Sequence, residues 1–175
     1  KIAIELNLID EDKFNGQIFL LENNINCVKS TSAGRLFDAV SAILGLCNES
    51  TFEGEAAMKL QYAAENFSKQ SSAISKNFFD IVKSRLGGED VNQLAFEFHV
   101  GIANFIVNTC KRARMETNIS TVALTGGVFQ NSLLLKLTTN KLIQNNFKVI
   151  RHKLIPANDG GICLGQAVSA ITQYK

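Results

Sequence analysis

The sequence predicts a helix-rich α/β fold, and three observations carry that prediction. An apolar run, Thr121–Val122–Ala123–Leu124, leads into a glycine turn, Thr125–Gly126–Gly127, and a helical pattern leads out of it from Asn131. A second apolar stretch at 147–152 is followed by another glycine turn, Asn158–Asp159–Gly160–Gly161, and another helical pattern. Strand, helix and strand at that spacing mean a parallel pair joined by a right-handed crossover. Residues 1–120, by contrast, read almost entirely as helix from their apolar periodicity.

Taken in order, residues 1–8 and 12–22 read as short helices. Ser30–Thr31–Ser32 offers a cap for a helix over 33–46, striped by Leu36, Phe37, Val40, Ile43 and Leu44 and broken at Gly45. Ala56, Ala57, Met58, Leu60 and Ala64 predict a close-packing helix over 54–66. Residues 67–77 are rich in Ser, Lys and Asn and read as a surface connection. A helix over 78–86 stops at Gly87–Gly88. The longest pattern, 90–114, puts Leu94, Phe98, Ile102, Phe105 and Ile106 on one stripe and Lys111, Arg112 and Arg114 at its carboxyl end, where they suit the helix dipole. Strand 121–125, helix 131–145, strand 147–152 and helix 160–173 complete the chain. The expected organisation is one subdomain over 1–175, with a helical segment at 1–29, a helical part at 30–120 and a βαβα part at 121–175. Two short strands make a poor sheet alone, and Lys1 opens inside a helical pattern. Both features suggest a piece of a larger unit.

Composition narrows the function. The hydrophobic share of 46% and the 12 Phe are enough for a real core in 175 residues. A net charge of +2 from scattered basic residues gives no argument for a nucleic-acid face. No run is long enough to span a membrane, and no signal peptide is visible. Cys27, Cys47, Cys110 and Cys163 form no C-x-x-C pair and read as buried thiols of a reducing compartment, with the cytoplasm as the default location.

Candidate site residues cluster in three places. Gly126–Gly127 allows a close backbone approach, and the N–H groups opening the next helix favour a phosphate, though a ligand-free tight turn has the same sequence. Asn131 can cap that helix or aim its amide at a base edge. Asp159 can cap a helix or ligate a hard cation such as Mg²⁺, and the paired glycines after it suggest that something bulky approaches the backbone. Gly34 and Asp38, at i and i+4, share a helix face. Asp38 either pairs with Arg35 or meets ribose hydroxyls for which Gly34 clears room. His99 reads as a satisfied core histidine and His152 as structural. No nucleophile motif accompanies them.

Several blocks then resemble, in the right order, the HypF carbamoyltransferase family of nickel–iron hydrogenase maturation. They are Thr31–Ser32–Ala33–Gly34–Arg35–Leu36–Phe37–Asp38–Ala39–Val40, Phe52–Glu53–Gly54–Glu55–Ala56–Ala57–Met58, Leu94–Ala95–Phe96–Glu97–Phe98–His99, Leu124–Thr125–Gly126–Gly127–Val128–Phe129–Gln130–Asn131, and Pro156–Ala157–Asn158–Asp159–Gly160–Gly161 with the residues up to Ala167. The resemblance covers roughly residues 30–66 and 90–171. It implies the second subdomain of the actin-like and sugar-kinase duplicated α/β fold. It also implies carbamoyl transfer from carbamoyl-adenylate, made from carbamoyl phosphate and ATP by an upstream domain, to the C-terminal cysteine thiol of a HypE partner. The product would be dehydrated to a cyanide ligand of the hydrogenase iron.

By motif, Gly34 and Asp38 would contact the ribose, Gly126 and Gly127 the phosphate, and Asn131 the adenine. Asp159 would bind a divalent metal, with Mg, Zn and Fe as candidates. The family's metal-binding histidine pair is not in this chain, so the resemblance implies an incomplete metal site. The 67–90 connection is short against the family, and residues 1–29 match only loosely. Rival readings are an O-carbamoyltransferase acting on a small metabolite and a non-catalytic nucleotide-binding scaffold. A tRNA threonylcarbamoyl transferase is disfavoured by Val128–Phe129–Gln130–Asn131 and the weak basic charge.

Overall fold

The computed structural model describes Ile4, residues 10–68 and residues 73–173. The helix expected at 1–8 lies outside them apart from Ile4. Seven α-helices are described: α1 (Glu11–Glu22), α2 (Ala33–Ile43), α3 (Glu55–Glu65), α4 (Phe78–Leu86), α5 (Val91–Thr117), α6 (Ser132–Gln144) and α7 (Ile162–Gln173). With them are two strands, β1 (Thr121–Leu124) and β2 (Lys148–Arg151), and two short 3₁₀ turns, Gly127–Gln130 and Asp159–Gly161. The helix-rich α/β class is therefore as expected. The chain forms two compact units that divide between Phe98 and His99, inside α5.

In the first unit α2 packs on α3 and α4. Phe37 and Val40 of α2 meet a core containing Leu60, Ala63 and Ala64 of α3 and Ile81 of α4, all buried. The small alanines let the helices approach closely. Phe37 and Phe98 make an edge-to-face pair with ring centroids 5.0 Å apart. Helix α2 ends in a Schellman motif: Leu46 N donates to Ser41 O and Gly45 N to Ala42 O, each at 2.9 Å, and Gly45 takes φ +75°. The expected serine cap at its start is different in detail. Ser32 occupies the cap position, but its side chain makes no capping bond, and its own N–H donates to Ser30 Oγ at 3.1 Å. Helix α4 carries a full capping box, with Asn77 Oδ1 accepting from Asp80 N at 3.1 Å and Asp80 Oδ2 accepting from Asn77 N at 3.3 Å.

Glu55 opens α3. Its carboxylate accepts from Thr51 N at 2.6 Å and Thr51 Oγ1 at 2.9 Å, and it pairs with Lys59 Nζ at 2.7 Å. The Lys59 ammonium and then the two Thr51 donors pull its pKa from 4.5 down to about 2. A depressed carboxyl pKa stabilises the folded state above the ordinary value and ceases to do so as pH falls through the folded one. Urea midpoints for the parent and Glu55→Gln are therefore expected to converge as pH falls from 4.5 toward 2, the parent losing more. Parallel midpoint curves over that window would rule the contribution out.

The 67–77 connection is not wholly a surface feature. Lys76 is buried with Glu97, Nζ to Oε2 3.1 Å, and its ammonium also contacts Glu89 and Ser84 Oγ. Burial opposes the charge, yet the paired carboxylates of Glu89 and Glu97 outweigh it and hold the Lys76 pKa above its ordinary value. Along α5 the residues from Leu94 to Val100 are all buried, so this segment is enclosed on every face rather than along one stripe, and Phe105 points outward with 65% exposure.

In the second unit β1 and β2 pair in parallel, with Thr121 opposite Lys148 and Leu124 opposite Arg151. Helix α6 crosses between them. Val107 of α5, Leu124, Leu142 and Phe147 form the core, with Cys110, Val122, Phe129, Leu135 and Val149 packed against it. Arg114 near the end of α5 lies over the Phe147 ring, 4.1 Å from its centre, and donates to Asn145 O at 3.0 Å. Helix α7 has no buried residue, and Ile162, Val168 and Ile171 are more than half exposed. The cysteines depart from the expected burial: all four are free, but only Cys47 is buried, while Cys27 and Cys163 are exposed. No described helix is long and apolar enough to cross a membrane.

Candidate functional site

The carboxyl ends of β1 and β2 each run into a glycine turn, and the fold brings the two turns together. Gly126 N donates to Ala157 O at 2.9 Å, and a Cβ built on Gly127 would come no nearer than 4.0 Å to Asn158 Cβ. Gly126 takes φ +101°, a backbone conformation that side chains rarely adopt. Gly127 has an ordinary φ and open space, so the folded chain itself does not demand glycine there. The turn does not open directly onto α6, because the 3₁₀ segment Gly127–Gln130 comes between.

An open cavity of about 330 Å³ lies between the turns, lined among others by Thr125, Gly126, His152, Asn158 and Asp159. A neighbouring cavity of about 320 Å³ shares His152 and adds Phe129, Leu135 and Arg151. Thr125 Oγ1 and His152 Nε2 are in hydrogen-bond contact at 2.9 Å where the two strands end.

Asn131 is the cap of α6, its Oδ1 accepting from Leu134 N at 2.8 Å. Its Nδ2 lies 2.9 Å from Nε2 of the fully buried His99. His99 is thus a satisfied core histidine. The cap of the second turn is Asn158, whose Oδ1 accepts from Gly160 N at 3.1 Å, and not Asp159, which is exposed at the cavity wall. The glycines after Asp159 serve the chain itself: a Cβ on Gly161 would sit 3.0 Å from Ile155 Cγ2 and from Pro156 O, and one on Gly160 3.1 Å from Asn158 Oδ1. Close self-packing therefore replaces the expected bulky ligand as the reason for that pair.

Gly34 and Asp38 share a face of α2 in the first unit. Arg35 Nη2 lies 3.2 Å from Asp38 Oδ2, which is the simpler of the two partners expected. Among the described residues no three His, Cys, Asp or Glu side chains stand close enough to hold a metal ion. Asp159 offers one carboxylate, and the residues present do not fit a resident metal by themselves.

The cavity lies at the carboxyl ends of two parallel strands, the edge at which open α/β sheets commonly place small molecules. The chain belongs to the family described as carbamoyltransferase, Kae1-like domain, second subdomain, which it matches over residues 4–166. It is similar to the probable carbamoyltransferase HypF of Methanocaldococcus jannaschii, 33% identical over 94% of this chain and 23% of the relative. It is also similar to the carbamoyltransferase HypF of Rhodobacter capsulatus, 38% identical over 89% of this chain and 22% of the relative. A crystal structure of full-length HypF in the phosphate- and nucleotide-bound form superposes with a TM-score of 0.86 at 30% identity, covering 97% of this chain and 24% of that one. The structure of T. kodakarensis HypF gives a TM-score of 0.79 at 26% identity, covering 94% of this chain and 23% of that one. The chain thus spans about a quarter of the length of these relatives.

Proposed function

We propose that this chain supplies part of the adenylate site of a HypF-type carbamoyltransferase. Joined glycine turns at the ends of β1 and β2, with Asp159 in the cavity between them, are the observation that carries the reading. The substrate is carbamoyl-adenylate, derived from ATP. The acceptor is the C-terminal cysteine thiol of a HypE-type partner protein in hydrogenase maturation, where the product feeds cyanide synthesis. The reading assigns the protein to the cytoplasm, where thiols stay reduced, and gives it neither a nucleic-acid nor a membrane partner.

In this reaction the partner's thiolate attacks the carbamoyl carbon, the C–S bond forms, the C–O bond to the phosphate breaks, and AMP leaves. Orientation and stabilisation of the developing oxyanion carry the rate. Gly126 and Gly127 face the phosphate. Asn131 meets the adenine. An amide has two donor hydrogens and two acceptor sites, and the helix cap and His99 use one of each on Asn131. Asp159 would be the one carboxylate that this chain's described residues offer a divalent metal (Mg, Zn or Fe), which would supply positive charge beside the phosphoryl oxygens.

Gly127→Asp tests the site. Because Gly127 has an ordinary φ and room for a Cβ, the variant is expected to keep the parent's melting temperature. A carboxylate beside the phosphate position is expected to weaken an ATP analogue at least about tenfold by calorimetry. Undiminished binding in a folded variant would count against the site.

A further inference from the structure

Thr125 and His152 have no part in the adenylate reading, yet they meet at the wall of its cavity. Both side chains line the cavity that holds Gly126 and Asp159, and they touch at 2.9 Å. Their meeting follows from the sheet register, since Leu124 pairs with Arg151 and the next positions are these two. The Gly126 N–H beside them is committed to Ala157 O and cannot serve a ligand. The charge facing them across the cavity is the Asp159 carboxylate, and Arg151 and Lys153, both exposed, flank His152 in the chain. An anion at this turn therefore needs a donor that the first backbone N–H does not provide.

We propose that His152 is a positioning residue acting through Thr125: its Nε2–H donates to Thr125 Oγ1 and leaves the Thr125 hydroxyl proton to donate to a phosphoryl oxygen of the ligand. A hydroxyl has one proton, so it serves either the ring nitrogen or the ligand. A ring that donates settles the choice in favour of the ligand. The proposal rests on the adenylate reading of this cavity and adds to it the side chain that holds the phosphate.

The test is calorimetry on the full chain with two probes, AMP and adenosine. Thr125→Val and His152→Ala are each expected to weaken AMP about tenfold, the usual loss of a hydrogen bond to a charged group, and to leave adenosine within about twofold. His152→Gln, whose amide can donate from nearly the same place, restores AMP binding. Thr125→Val with His152→Ala is no weaker than either alone, because both remove one interaction. Unchanged AMP affinity in the single variants, while Gly127→Asp still abolishes it, overturns the positioning role and leaves the adenylate site standing. So does a glutamine variant as weak as the alanine one, or equal losses for AMP and adenosine, which mark a structural role. AMP binding that is absent from the parent, or indifferent to Gly127→Asp, overturns the adenylate reading and this proposal with it.

Discussion

Lys76→Ala is expected to destabilise the first unit by about 3–5 kcal/mol, the usual cost of removing one partner from a buried ion pair. Glu97 is 1% exposed, and its Oε2 has no hydrogen bond among the described residues, so the Lys76 ammonium at 3.1 Å is what balances that oxygen. The other oxygen is provided for, accepting from Gln93 Nε2 at 3.0 Å and Ile74 N at 3.4 Å. Without Lys76 the carboxylate is left unbalanced in the core. Urea unfolding at pH 7 checks the loss. Lys76→Met with Glu97→Leu is expected to recover most of the stability, because apolar side chains of similar volume replace such pairs at little cost. A single variant within about 1 kcal/mol of the parent would show that the pair is hydrated in solution.

Nothing in the sequence marks Lys76. It stands in a polar stretch, Ser68 to Asn77, whose composition reads as loop, and its burial depends on Glu97, which is 21 positions further on. Local pattern carries helix starts and stops well, because they are written in neighbouring residues. The stops at Gly45 and Gly87–Gly88 are legible for that reason. Burial is a tertiary property. The stripe predicted for α5 is right at Leu94 and Phe98 and wrong at Phe105, since a 27-residue helix is enclosed over one stretch and exposed over another. The cysteines fail in the same way: a general preference of thiols for the interior does not say which ones a given fold covers.

The site was legible where it depended on strand order. Two strand-to-glycine patterns joined by a helix imply a parallel pair, and a parallel pair puts both turns at the same edge. The register is a different matter: strand order leaves it open, and only the packed strands set Leu124 opposite Arg151 and bring Thr125 to His152. Side-chain roles were less legible. Asn158 and Asp159 are both good caps, and only the backbone geometry shows that Asn158 does the capping and leaves Asp159 at the cavity. The glycine pair at 160–161 is explained by Ile155 and Pro156, which lie so near in sequence that a tight return of the chain accounts for it without any ligand.

Asn131→Ala is expected to lower stability by about 2–3 kcal/mol, roughly one for the lost cap of α6 and the rest for the bond taken from the buried His99 ring. Both contacts are short, 2.8 Å to Leu134 N and 2.9 Å to His99 Nε2. Loss of nucleotide binding in that variant would not by itself identify an adenine contact, because the start of α6 adjoins the glycine turn and would shift with it. Asn131→Ser separates the two roles. A serine hydroxyl keeps the cap but is too short to replace the amide at His99 or at a base edge, so about half of the stability loss is expected to return. If Asn131 also reads the base, this capped variant should lose preference for adenine over guanine nucleotides at nearly parental stability. A preference unchanged in the serine variant would make Asn131 a structural residue alone and leave base recognition to other groups.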